Sequence, residues 1–396
     1  MDSERRVTIP IGRLFRFVSG GAISATQITS TGQYPVYGGN GIRGYTDSWN
    51  ATGFNLLVGR QGALAGNIHR THGPIYATEH ALVASSDSAV DGDFAYWLLT
   101  DADLNQYAQN VAAQPGLAAG KIRKVLISLP VDIVTQRFLA RYLDQKSSQI
   151  DALVGKLTRQ VELLERYRRE VSWEALTGGL EKASHKVDSE VDWIGLMPES
   201  WTTIPGRHLF EVVKRIEPGF SDRVLSITQK GIVPKDLSSH FGQLAESYDL
   251  YQRVDAGDYA MNSMDLLTGW VDRSAYDGVT SPDYRVFRLR QAIAAEPRYF
   301  THVLQMGYTR RIFYRYGQGV SNLGRWRLQP KVFLNMRFPL PPLDQQRRIA
   351  DYIEEKYAEI DSTIADINKQ IELLVKYRKQ VINDAVTGKV RVGEVA

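Results

Sequence analysis

The sequence predicts an α+β protein. Two strand-rich globular domains are separated by two long helices that pair as an antiparallel coiled coil, and the whole chain is a pseudo-twofold internal repeat. Three observations predict this. Residues 136–180 align with residues 346–390 at a constant offset of 210 without a gap, and 17 of the 45 positions are identical, among them Gln136/Gln346, Arg137/Arg347, Asp151/Asp361, Arg168/Arg378 and Thr177/Thr387. Inside each copy apolar residues recur every seventh position, which is coiled-coil spacing. The stretches before the copies have a different character, rich in Gly, Thr, Tyr and short β-branched runs with frequent turn signals.

In chain order, residues 1–130 form the first strand-rich domain, with turns marked by Gly38-Gly39-Asn40-Gly41, Asn67 and Pro74. Residues 131–180 form the first long helix, opened by Leu129-Pro130 and stopped by Thr177-Gly178. Its seam is Leu143, Ile150, Leu157, Leu164 and Val171, and a second seam three residues further on (Lys146, Leu153, Gln160, Tyr167) is half polar. Residues 181–199 read as a linker and residues 200–340 as a second strand-rich domain, punctuated by Glu217-Pro218-Gly219 and Ser281-Pro282-Asp283. Residues 341–390 form the second helix, with the seam Ile353, Ile360, Ile367, Leu374 and Val381 and its own half-polar neighbours Lys356, Thr363, Gln370 and Tyr377. Each helix runs about 40 residues or ~60 Å. A stripe that long needs a partner, and the obvious one is its own copy. The globular parts are faintly alike: Leu14-Phe15 matches Leu209-Phe210, and 116–122 resembles 320–326.

Composition bounds the rest. The chain has 396 residues, 43% apolar and 23% charged, so it can bury proper cores. It has no cysteine, which excludes disulfides and thiolate-bound zinc. No apolar run suits a membrane span and residues 1–10 have no apolar leader core, so the cytoplasm is the expected location. Net charge is only +4, so distribution matters more than total.

The motifs resemble those of a known family. The opening Leu340-Pro341-Pro342-Leu343-Asp344-Gln345-Gln346, the Ile-Asp core, the Glu-Leu-Leu-x-x-Tyr-Arg centre and the Ala-x-Thr-Gly end are similar to the spacer helices of type I restriction–modification specificity subunits. The run from Asp192-Trp193 to Ser200-Trp201 resembles that family's lead-in to a target recognition domain. The resemblance implies two target recognition domains, each reading one half of a bipartite double-stranded DNA site. It implies two methyltransferase subunits as partners and leaves room for restriction subunits. No cofactor is expected on this chain. S-adenosylmethionine, with ATP and Mg where restriction occurs, would belong to those partners.

Enzyme signals fail one by one. Residues 39–44 satisfy G-x-G-x-x-G, but Tyr45-Thr46-Asp47-Ser48-Trp49 follows where a helix is needed. Residues 116–121 are one short of a phosphate loop, and Ile122 stands where Ser or Thr should hold magnesium. His69, His72 and His80 lack metal-site spacing. No Asn-Pro-Pro-Tyr or Asp-Pro-Pro-Tyr is present. The expectation is a non-catalytic subunit with no metal. Three acid-free basic windows (48–78, 104–131 and 297–343) suit a polyphosphate partner. They give the DNA-contact candidates Arg60, Gln61, Asn67, Arg70 and Lys121 in the first half, to which the Gly38–Gly41 turn, where glycine allows close backbone approach, adds Gly39 and Asn40. Asn262, Ser263, Arg310, Arg311, Arg315, Ser321, Asn322 and Arg325 are the candidates in the second. A self-contained nuclease or methyltransferase would need a site the sequence does not offer, and a coiled-coil adaptor would not need the basic windows. A methyltransferase-only specificity partner is the nearer alternative.

Overall fold

The computed structural model describes residues 5–62, 64–86, 88–111, 114–181, 185–220, 223–236, 247–319 and 326–390. It divides into two compact units, Met1–Thr158 with Ile367–Ala396, and Arg159–Asp366. Both long helices, Ile133–Gly178 and Leu343–Thr387, contribute to both units.

The two units repeat one architecture. In the first, a four-stranded antiparallel sheet runs in the order Phe15–Ser19, Ala81–Ser86, Asn55–Gly59, Ile68–Thr71. In the second, the order is Phe210–Val213, Arg285–Leu289, Tyr259–Met261, Val271–Arg273. Even the register repeats: Leu56 faces Arg70 and Ala84, while Tyr259 faces Arg273 and Phe287. A strand pair closes each domain, Arg6–Pro10 with Leu126–Pro130 and Thr202–Pro205 with Arg337–Leu340. A helix packs on each sheet, Gly92–Asp101 and Pro297–Thr309, capped by Asp91 and Glu296.

Each core reaches into the helices. Phe15, Leu56 and Trp97 pack in one cluster with Leu139, Ala140 and Leu143 at the start of the first helix and Val381, Ile382 and Ala385 at the end of the second. The other core joins Phe210, Tyr259 and Tyr299 to Ala175, Leu176, Ile349, Ala350 and Ile353. Adding 210 to Leu139, Ala140 and Leu143 gives Ile349, Ala350 and Ile353, so the same helix positions serve both cores.

The helices pair antiparallel. Arg168 bonds Asp361 in one unit and Arg378 meets Asp151 in the other. Both arginines and both aspartates are 210 apart, so this is one ion pair seen twice. Along the first seam Leu143, Ile150, Val171, Ile353, Ile360, Ile367 and Val381 are buried, with Leu157, Leu164 and Leu374 half-buried. The second seam differs from expectation. Residues four further on (Ser147, Val154, Val161, Arg168 and Ala175) turn inward, while Leu153 and Tyr167 are 48% and 51% exposed. At 3.6 residues per turn, a fourth neighbour lies about 40° from the first seam and a third about 60° on the other side. The inward sequence has Val154 and Val161 where the outward one has Leu153 and Gln160, and that decides the side.

One further expectation is corrected. Much of the stretch read as a linker is folded into the second unit. Lys186–Asp188 pairs with Leu196–Pro198, Trp193, Ile194 and Met197 are buried, and Trp201 donates to Gln345 at 2.7 Å. The likeness of 116–122 to 320–326 falls mostly on residues outside the described ones, 320–325, and the match that the described residues show is a different one. The Leu117 N–H donates to the Arg60 carbonyl at 2.8 Å and the Leu328 N–H to the Ser263 carbonyl at 3.0 Å, which makes Leu328 the counterpart of Leu117.

Candidate nucleic-acid interface

In the first unit the structure gathers five sequence candidates at one end of the sheet. The strand Asn55–Gly59 delivers Arg60 and Gln61, and the hairpin of Tyr34–Gly38 and Gly41–Thr46 delivers Gly39 and Asn40. Gly39 packs closely here: a Cβ would lie 3.0 Å from the His80 carbonyl and 3.4 Å from the Gln61 carbonyl. Asn67 donates to Asn40 at 3.0 Å, Gln61 bonds the His80 ring at 2.7 Å, and Arg60 donates to the Ser19 hydroxyl at 3.2 Å. Asn40 and Gln61 are exposed and Arg60 half-exposed. Amide and guanidinium groups in such a cluster present the donor and acceptor pairs that match base edges. Lys121 is exposed on the short helix Ala119–Ile122, one turn after Leu117. His80 and Ser19 were not anticipated, since neither lies in a basic run.

Arg70 does not join them. It bonds Asp144 at 2.8 Å and Asp93 at 3.2 Å and lies over the Tyr96 ring. Its charge is already matched, so it braces the domain against the helix.

In the second unit the candidates separate. Ser263 is buried, and the Asn262 side chain accepts from the Met264 and Asp265 N–H groups while its carbonyl accepts from the Tyr308 hydroxyl at 2.6 Å. Both shape a turn, and the Asn262 side-chain oxygen is taken up by the backbone. Arg310 bonds Glu170 at 2.6 Å over the Trp173 ring. Arg298 is held by Asp351 at 2.7 Å and Glu354 at 2.9 Å. The aromatic residues that interleave the last window are largely core: Tyr299 and Tyr308 are buried, and burial pushes both hydroxyls well above the ordinary tyrosine range. Arg311 and Arg315 remain exposed, with no carboxylate partner among the described residues. Ser321, Asn322 and Arg325 lie outside the described residues.

What the second unit offers instead is a cleft of about 510 Å³ lined by Arg168, Arg169, Gln229, Gln305 and Arg311, with one carboxylate, Glu165. Arg168 and Arg169 lie in the first long helix, outside the acid-free windows, and were not among the sequence candidates. His302 forms part of its wall. Burial, with Arg298 and Arg168 nearby, lowers its imidazole to about 4, so at neutral pH the 3.8 Å approach to Glu354 is not an ion pair.

Both units share one joint. Gln136 and Gln346 are each 0% exposed. Gln136 accepts from the Asp91 N–H and donates to the Pro130 carbonyl, both at 2.8 Å. Gln346 accepts from the Glu296 N–H and donates to the Pro341 carbonyl, again at 2.8 Å. Arg137 and Arg347 then meet the same two capping carboxylates at 3.2 and 3.6 Å. Among the described residues no group of three or more His, Asp or Glu could hold a metal, and no helix is long and apolar enough to cross a membrane.

Fold and site together define a duplicated α+β scaffold, in which one frame is used twice with different outward chemistry. No family profile matches the chain. Its sequence relatives nevertheless agree. The specificity subunit of the Escherichia coli type I restriction enzyme EcoprrI is 41% identical over 152 residues, 37% of this chain and 36% of that protein. The E. coli EcoDI specificity subunit is 20% identical over 407 residues, 96% of this chain and 88% of that protein. The matched region thus spans about a third of the first relative and most of the second. A solved chain described under complex assembly and conformational transition of the type I R-M system shares the fold, with a TM-score of 0.68, 12% identity and coverage of 97% and 98%. Both relatives are type I restriction enzyme specificity subunits, and it is to these that the chain is similar in sequence.

Proposed function

We propose that the chain is the non-catalytic DNA-reading subunit of a type I system. Each strand-rich domain reads one half of a bipartite double-stranded site, and the shared helices set the gap. One observation carries this reading: equivalent positions in one repeated frame present different side chains. Where the first domain has Gly59-Arg60-Gln61 and an exposed amide cluster, the second has Asn262-Ser263-Met264 folded into a turn and reads from its arginine- and glutamine-lined cleft. A duplicated frame offers two like docking sites to two identical partners, and those partners are two methyltransferase subunits. Base methylation with S-adenosylmethionine belongs to them, as does ATP- and Mg-dependent restriction where restriction subunits join. Replacing residues 1–130 with the matching part of a relative, then sequencing methylated motifs in genomic DNA, tests it. One half of the motif should change and the other should persist; a change in both or in neither refutes the two-reader layout.

A further inference from the structure

A groove of about 480 Å³ opens beside the first strand of the first domain's sheet, away from the amide cluster. Its walls are Gly12, Arg13, Leu14, Phe15, Arg16, Ser85, Ser86 and Arg123. Arg13, Arg16 and Arg123 are all exposed, and none has a carboxylate within ion-pair distance among the described residues. The polypeptide brings them together although Arg123 is far off in sequence: the Gly12 N–H donates to the Arg123 carbonyl at 3.0 Å, and the Arg123 guanidinium reaches the Phe17 carbonyl at 3.5 Å. Lys121 and Lys124 flank Arg123 and are exposed as well. Three uncompensated guanidinium groups with two hydroxyl donors suit phosphate oxygens.

The second domain has the same backbone there and different chemistry. Phe15 and Ser86 face each other in the first sheet as Phe210 and Leu289 do in the second. Counting along those strands, Arg16 corresponds to Glu211 and Ser85 to Arg288, and these two form an ion pair at 2.9 Å. At these two positions the second domain carries a matched ion pair where the first carries Arg16 and a serine.

We infer that the first domain's groove binds the phosphate backbone of the DNA beside the half-site that domain reads, and that the second domain has no equivalent. This rests on the DNA-reading proposal and deepens it. The strand Phe15–Ser19 runs from the groove to Ser19, which accepts from Arg60 in the amide cluster. Its four steps cover ~13 Å, or about four base pairs of duplex axis.

The test uses the full chain in its assembled methyltransferase complex, on a duplex carrying its methylated motif. Titrating KCl against affinity for wild type, for Arg13→Gln, Arg16→Gln and Arg123→Gln singly, and for the triple variant gives the slope of log affinity on log salt. The triple variant should lose about 2.7 from the slope, at ~0.9 per phosphate contact, with an unchanged methylated motif; each single variant should lose about a third of that. Arg288→Gln, the second-domain control, should leave the slope alone. If wild type binds its motif and the slopes of all groove variants equal its own, the groove is not a phosphate site although the reading of DNA stands. If the variants fail instead to assemble with the methyltransferase subunits, the groove holds an acidic protein surface and the inference is wrong. Failure of the wild-type complex to bind any duplex would sink both.

Discussion

Replacing Gln136 with leucine removes the joint between the first domain and its helix while keeping the side chain's approximate size. The structure sets the magnitude. The Asp91 N–H, at the cap of Gly92–Asp101, loses an acceptor at 2.8 Å, and the Pro130 carbonyl loses a donor at 2.8 Å, in a place where Gln136 is 0% exposed. Leaving a buried polar group unsatisfied costs ~1–3 kcal/mol, so Gln136→Leu should destabilise the first unit by about 2–4 kcal/mol, allowing for partial relaxation. That is a large share of the ~5–15 kcal/mol a domain has. A chain with two units need not unfold in one step, so hydrogen exchange read by mass spectrometry is the assay, with urea titration beside it. Amides of 6–130 should lose protection while those of 202–340 keep theirs, and Gln346→Leu should give the mirror pattern. Arg137→Ala is the control: Arg137 is 61% exposed, and such a pair is worth under about 1 kcal/mol. Exchange in the first unit unchanged in Gln136→Leu, or loosened equally in both units, would refute the idea that this glutamine holds one domain to its helix.

His302 titrates at about 4 in the folded protein against ~6.5 unfolded. Its neutral form is therefore favoured by folding, and the second unit should lose stability as pH falls from about 6.5 towards 4, by ~3 kcal/mol at most; His302→Gln should flatten that part of a pH–stability profile. Ile353→Ala, at a fully buried position of the seam, should cost ~2–5 kcal/mol in urea unfolding of the second unit, whereas Leu153→Ala on the outward side should cost under about 1 kcal/mol. Four residues inserted after Leu157 add ~6 Å of helix, against ~3.4 Å per base pair, so the methylated motif should keep both halves and gain one or two base pairs in its gap. An insertion that alters the halves and keeps the gap would make the helices readers.

What the sequence showed was decided by where partners sit along the chain. The frame was legible because its residues recur: Gln136/Gln346, Arg137/Arg347, Asp151/Asp361 and Arg168/Arg378 are identical pairs, and each proves to be a joint or an interhelical ion pair. The seam was legible on its aliphatic side and misjudged on the other, because Leu153 at the third position looks as apolar as Val154 at the fourth. The basic windows misled where acids came from outside them. Arg310 finds Glu170, 140 residues back, and Arg298 finds Asp351 and Glu354 on the second helix. The same blindness hid the groove of Arg13, Arg16 and Arg123, which only backbone pairing joins. The physical reason is general: periodicity and repeats are properties of neighbours in the chain, while charge balance is a property of neighbours in space. A duplicated frame makes the difference visible. Selection for one frame keeps the residues that bind a domain to its helices, since loss of any one leaves a buried group unpaired. The outward positions carry no such penalty, so Arg16 can correspond to Glu211 and Arg60 to Ser263 in the same backbone, and two halves of one chain can present different surfaces.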